Sequence, residues 1–320
     1  MPLYPEIEPY GHGMLDVGDG NRVHWEACGN PRGKPALVLH GGPGSGRTPY
    51  FRRVFDPAAY RIVLLDQRGC GRSTPHASAY DTDMSVNTTA HVIADLELLR
   101  RHLGIARWLV WGVSWGSVLG LRYAQTHPGV VSEIVLTGVA TGSNAEVALL
   151  TRGLGRIFPE AFERFVGELP AGERDGDLAA AYNRMIESPD PAVRERAARA
   201  WTDWETATIP APPGSVERFE DPRFRMGFAR TVTHYWGNGH FLGAGNDEGV
   251  VLRDAPVLKG IPGTLVQGGL DFGNLLGTVW RLHHAWPGSE LVVIDEVGHD
   301  AGAPGVAEAL VAATDGYAGR

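Results

Sequence analysis

The segment most suited to chemistry is a serine framed by glycines, Gly112-Val113-Ser114-Trp115-Gly116. It follows the apolar run Trp108-Leu109-Val110-Trp111 and opens an apolar helical stretch from Trp115 to Thr126. In that context a sharp strand-to-helix turn lifts the serine Oγ clear of a sheet, and the glycines remove Cβ clashes at the turn. The rival reading is an ordinary strand-to-helix turn. A serine hydroxyl is a weak nucleophile until an imidazole takes its proton and a carboxylate orients that imidazole. Two late segments supply these groups: Gly268-Gly269-Leu270-Asp271, after Thr264-Leu265-Val266, and Gly298-His299, after Leu291-Val292-Val293-Ile294. Asp271 is taken as the orienting acid and His299 as the base, the order Ser, Asp, His being one this arrangement uses. Asp295, Glu296 and Asp300 compete for the acid role, but Asp295 and Glu296 precede His299 too closely to reach its far nitrogen. His283 and His284 are the rival bases, and they fall inside a predicted helix.

Acyl transfer also needs two backbone N–H donors where negative charge develops on the carbonyl oxygen. One is expected from Trp115. The other is expected from His40-Gly41-Gly42-Pro43-Gly44, either Gly41 or Gly42, with Gly42 taken as the donor. Pro43 has no N–H and can only stiffen the turn. A phosphate-cradling loop is the alternative, but no Lys-Ser/Thr follows the glycines and no G-x-G-x-x-G is present. A second loop, Asp66-Gln67-Arg68-Gly69-Cys70-Gly71-Arg72-Ser73, is expected to buttress the first through Arg68 or Asp66, with Cys70 structural.

The elements that must position these groups read as an α/β protein. Met14–Val17 and Val23–Ala27 flank an Asp-Gly hairpin signal. Ala36–Leu39, Ile62–Leu65, Trp108–Trp111 and Ile134–Leu136 are continuous apolar runs, the mark of strands covered on both faces. Apolar residues recur at helical spacing from Asn87 to Leu103, with Asn87 or Thr88 as N-cap and Gly104 as stop. From about Ser143 to Gly245 the alternation stops and helical stretches take over: Ala161–Val166, Asp177–Glu187, Pro191–Glu205 and Phe224–Trp236. It resumes at Thr264, with helices at Leu275–Trp286 and Val306–Thr314. The expected architecture is a mostly parallel central sheet with helices on both faces. Residues 1–142 and 246–320 form its core, and residues 143–245 form an inserted helical cap over the carboxyl edge of the strands.

Together the segments resemble the proline iminopeptidase (prolyl aminopeptidase) family of α/β hydrolases. The resemblance rests on His40–Gly44, Asp66–Ser73, Trp111–Ser117, Tyr123-Ala124-Gln125-Thr126-His127-Pro128 and the cap stretch Trp201-Thr202-Asp203-Trp204-Glu205, and spans nearly the whole chain. It implies Ser114, Asp271 and His299 as the triad and Glu205 as a cap acid that meets the substrate's N-terminal amine. Gly41, Trp204 and Tyr235 are expected beside the substrate. Departures cluster in the amine pocket. Val232 stands where many members have a second glutamate, Thr137 where an arginine is common, and Gly269-Leu270 where Arg-Tyr precedes the aspartate. The cap entry Val139–Asn144 lacks the bulky and basic residues expected there. One carboxylate facing an ammonium holds it less firmly than two.

Composition limits the rest. Of 320 residues, 43% are hydrophobic and 21% charged, enough apolar material for a large core. Glycine is the outlier at 43 residues, about twice its usual share, and many lie in the loops just named. The net charge of −8 argues against nucleic acid or an anionic membrane as partner. Cys28 and Cys70 cannot make a disulfide framework, and Met1 to Glu6 lacks the features of a secretory leader, so a reducing cytoplasm is expected. The sequence therefore predicts a serine aminopeptidase that removes proline or a similar small residue from short peptides, with no cofactor and no metal. A different ester, amide or lactone, specialised metabolites included, is the alternative substrate. A non-enzymatic module is the third reading, and it predicts a broken triad.

Overall fold

The computed structural model describes residues 3–209, 216–247 and 249–319. Met1 and Pro2 of the leader reading, and residues 210–215 of the expected cap, lie outside the described residues. Strands β1 (Pro9–Gly18) and β2 (Asn21–Gly29) pair as the expected hairpin. Asp19 and Gly20 turn it with φ of 54° and 72°, the positive values a tight two-residue turn requires.

The next elements are β3 (Lys34–Leu39), β4 (Tyr60–Leu65), α1 (Thr89–His102), β5 (Trp108–Val113), α2 (Trp115–Thr126) and β6 (Val131–Thr137). The side chain of Thr88 caps α1 by accepting the His91 N–H. Five helices follow: α3 (Asn144–Thr151), α4 (Pro159–Gly167), α5 (Leu178–Ile186), α6 (Pro191–Thr208) and α7 (Pro222–Trp236). The chain closes with α8 (Val250–Arg253), β7 (Gly263–Gly268), α9 (Leu276–Ala285), β8 (Ser289–Ile294) and α10 (Val306–Ala318). Helix α3 was not anticipated from the sequence. Its start is a capping box in which the Ser143 hydroxyl accepts the Glu146 N–H and the Glu146 carboxylate accepts the Ser143 N–H.

All eight strands form one sheet in the order β1-β2-β4-β3-β5-β6-β7-β8. The pairings from β4 through β8 are parallel, and only β1 and β2 run antiparallel to their neighbours. Alternate side chains of one strand feed two cores. Leu37 and Leu39 of β3 join α1 and α2 residues on one face, while Ala36 and Val38 join α10 residues on the other. That double burial is why the strands read as unbroken apolar runs. The cap helices have a core of their own, built around Phe165, Tyr182, Trp201, Trp204 and Val232. Phe165 stacks on Tyr182 at 4.5 Å and on Trp204 at 5.0 Å. Removing any of these rings costs roughly 3–5 kcal/mol. Strands β3, β5, β6, β7 and β8 all end on the same edge, so their following loops converge there.

Candidate active site

Ser114 lies between β5 and α2 with φ 55° and ψ −122°, a conformation a non-glycine residue adopts at a cost of about 1–3 kcal/mol. Its own N–H is held by the Thr137 carbonyl at 3.0 Å, which ties the turn to β6. The flanking glycines are required by contact. A Cβ on Gly112 would stand 2.3 Å from the Gly116 carbonyl oxygen, and one on Gly116 would stand 2.1 Å from that of Leu39. Trp115 follows as the first residue of α2, where a backbone N–H has no acceptor within the helix and lies at its positive end.

Asp271 and His299 come together from the loops after β7 and β8. The His299 Nδ1–H donates to Asp271 Oδ2 at 2.8 Å, leaving Nε2 as the nitrogen available to the serine. Asp271 is 3% exposed and fully engaged. Its Oδ1 accepts the Asn274 N–H at 2.8 Å, and its Oδ2 also accepts from Gln267 Nε2 at 3.1 Å. Burial disfavours the imidazolium of His299, but the Asp271 carboxylate outweighs it, and the His299 pKa is raised. Gly138, with φ 53°, backs the imidazole so closely that a Cβ there would stand 2.8 Å from His299 Cε1.

The Gly41–Gly44 loop stands directly against the serine: a Cβ on Gly41 would be 3.2 Å from Ser114 Cβ and 3.7 Å from its Oγ. The loop is held by a residue the sequence did not single out. Gln67 donates its backbone N–H to His40 Nε2 and its Nε2–H to the His40 carbonyl, both at 3.1 Å. Its Oε1 accepts the Trp115 indole N–H at 2.9 Å, so Gln67 joins the glycine loop to the serine turn. Of the two residues expected to do this, Asp66 accepts the Arg47 N–H just beyond the loop at 2.9 Å. Arg68 turns away and forks onto Asp95 of α1 at 2.7 and 2.8 Å. Cys70 is buried behind His40 and its thiol is pushed well up by burial, which leaves it inert.

A cavity of about 750 Å³ joins these groups, lined among others by Gly41, Gly42, Ser114, Trp115, Glu205 and His299. Glu205 enters it from α6. Burial pushes its carboxyl up to about 7, against the opposing pulls of the Trp201 indole N–H (3.2 Å), His299 and Arg218. Two expected substrate residues do not line this cavity. Trp204 packs into the cap core, its indole N–H given to the Leu150 carbonyl at 3.0 Å. Tyr235 is 1% exposed and donates its hydroxyl to Asn87 Oδ1 at 3.0 Å, with its ring edge-on to Trp115. Helical periodicity explains both: the residues that face the cavity are their neighbours Glu205 and Trp236. Val232 is likewise enclosed in the cap core. Gln267 and Asn274, which hold Asp271, also escaped the sequence reading, since neither lies in a pattern that marks it. Among the described residues no cluster of His, Cys, Asp or Glu is arranged to hold a metal ion, and no helix is long and apolar enough to cross a membrane.

The sheet, the strained serine turn and the converging loops define an α/β hydrolase, and the family model described as "alpha/beta hydrolase fold" matches residues 34–304. The crystal structure of VinJ shares the fold, with a TM-score of 0.62 at 19% identity over 98% of this chain and 99% of that one. A Streptomyces coelicolor protein named "Probable proline iminopeptidase" is 82% identical over 99% of this chain and 98% of its own. The "Proline iminopeptidase" of Xylella fastidiosa strain Temecula1 is 45% identical over 98% and 99%. The chain belongs to the proline iminopeptidase family.

Proposed function

We propose that this chain is a serine hydrolase that releases an N-terminal proline, or a similarly small residue, from short peptides and amides through an acyl-enzyme. The observation that carries the reading is the convergence of Ser114, the His299–Asp271 pair and the cap acid Glu205 on one cavity. Family membership supports the choice of an N-terminal residue as the acyl part.

In this mechanism Ser114 Oγ attacks the first peptide carbonyl while His299 Nε2 takes its proton. Asp271 stabilises the resulting imidazolium through Nδ1. The Trp115 N–H and an N–H of the Gly41–Gly42 segment receive the oxyanion. The imidazolium then gives its proton to the leaving amine, the C–N bond breaks, and the prolyl ester remains on Ser114. Water, deprotonated by His299, hydrolyses the ester and restores the hydroxyl. Glu205 in its ionised form takes the substrate's ammonium, which places the first residue against the serine and blocks binding of chains extended beyond it. Residues 143–245 act as the cap that limits substrate size. The two free, buried cysteines suit a reducing compartment such as the cytoplasm.

Comparing proline β-naphthylamide with an uncharged p-nitrophenyl ester tests the reading. Efficient cleavage of the prolyl amide is expected; ester hydrolysis without any prolyl cleavage contradicts it.

A further inference from the structure

Arg218 is the one guanidinium or ammonium among the described residues that line the active-site cavity, and the proposed chemistry does not use it. It lies on a short helical turn, Glu217–Glu220, between α6 and α7. Its guanidinium carbon sits 4.7 Å from the Phe224 ring centre and 5.5 Å from that of Phe219, so the plane of the fork is held by aromatic packing. Among the described residues its side chain has no ion pair and no hydrogen bond; beyond the two rings it feels only the longer-range fields of Glu205 and His40. The other acids on the wall do not neutralise it. Glu146 is consumed by the N–H and hydroxyl groups of Thr141 and Ser143. Asp300 accepts the Gly302 N–H at 2.8 Å in the loop after His299. A cation with five donors facing a cavity and lacking an acid partner is a ready receptor for a planar anion, and a carboxylate matches its fork.

The charges on the wall are thus divided, an acid at Glu205 and a base at Arg218. A short peptide carries the complementary pair, an ammonium at one end and a carboxylate at the other. Each extended residue spans at most about 3.6 Å, so a dipeptide is only about 7 Å end to end, well within a cavity of about 750 Å³. We propose that Arg218 binds the free C-terminal carboxylate of the substrate and so selects dipeptides and similarly short free peptides over their amides. The inference rests on the aminopeptidase reading, with the first residue anchored at Ser114 and Glu205. Arg218 touches the leaving part of the substrate and acts on specificity. Burial lowers the pKa of Arg218 and Glu205 opposes that shift. A guanidinium is nonetheless not deprotonated in proteins, so it meets the carboxylate as a cation.

The test compares kcat/KM for Pro-Ala, Pro-Ala amide and proline β-naphthylamide in the wild type, Arg218→Gln and Arg218→Lys. A charge-assisted hydrogen bond is worth about 1.5–3 kcal/mol, which corresponds to a roughly 10- to 150-fold preference. The ratio of Pro-Ala to Pro-Ala amide should therefore fall at least tenfold in Arg218→Gln, through KM, and be partly restored in Arg218→Lys. A ratio is unaffected by any general loss of folded enzyme. An unchanged ratio in Arg218→Gln, including an equal loss on all three substrates of the kind a merely structural or Glu205-tuning residue would produce, overturns the proposal. Failure of the wild type to cleave any of the three overturns the aminopeptidase reading itself, which separates the two failures.

Discussion

Ionising Glu205 inside the cavity works against burial, and this shapes both the rate and the stability as pH changes. With the carboxyl held up to about 7 in the free enzyme, ammonium binding is lost as pH falls through that value. His299 must also be neutral to act as base, so the wild-type acid limb of kcat/KM should steepen toward a two-proton slope. Glu205→Gln should show a one-proton slope and a rate at pH 8 lower by about 10- to 100-fold. A mutant profile identical to the wild type contradicts the amine role. Stability moves the other way. The unfolded carboxyl titrates near 4.5 and the folded one near 7, so unfolding releases a proton between these values and stability falls as pH rises through them. Glu205→Gln should therefore melt at a higher temperature than the wild type at pH 8, and the gain should disappear below about pH 4.5. A separate expectation concerns Gly138. A methyl there would press on His299 Cε1 at 2.8 Å, so Gly138→Ala should lower kcat by about 100-fold with KM little changed, measured on proline β-naphthylamide. A normal kcat would show that the imidazole tolerates displacement.

At the scale of elements, α7 is tied to the loop and helix start at 77–89 by several side chains, Tyr235 and His234 on Asn87 among them, and Arg230 makes the largest set of contacts. Arg230 pairs with Glu187 at 2.6 and 2.9 Å and donates to the carbonyls of Ala77, Ala79, Tyr80 and Thr82. Arg230→Ala strips those carbonyls of a charged donor, while the partly exposed Glu187 is left to water, a loss of about 1–3 kcal/mol. Hydrogen exchange should quicken in residues 77–82 and in α7 before the sheet is affected; a uniform change across the protein would deny this tie. Helix starts were legible in the sequence where a side chain caps them, as Thr88 does for α1 and Asp177 for α5. Helix α3 was not, because its capping box lies at the point where the strand–helix alternation gives way to the cap. The loop that holds the Gly41–Gly44 segment was legible, and Asp66 braces the chain just beyond it as expected, but Gln67 was missed and Arg68 does not take part. Gln67 does the joining because its amide can donate and accept at once, whereas Arg68 can only donate and finds a buried acid in Asp95.

For the whole molecule, the parallel order of the sheet was legible because unbroken apolar strands alternate with helical stretches, both local signals. The convergence of Ser114, Asp271 and His299 was legible because each follows a strand that ends on the same edge. The pocket wall was less so. Which face of α6 or α7 meets the cavity depends on how the cap sits on the core, and contacts between distant segments set that. Trp204 and Tyr235 accordingly fell on inward faces, while Arg218 on the wall went unnoticed. The cavity lies against Ser114, and the acyl-enzyme route requires a prolyl group to pass through that serine. Rapid quenching of the enzyme during turnover of proline β-naphthylamide, followed by peptide mapping, tests this most directly. A prolyl ester is expected on the peptide carrying Ser114, with labelling and turnover both lost in Ser114→Ala. Turnover that persists in Ser114→Ala, or a prolyl label on another residue, would contradict it.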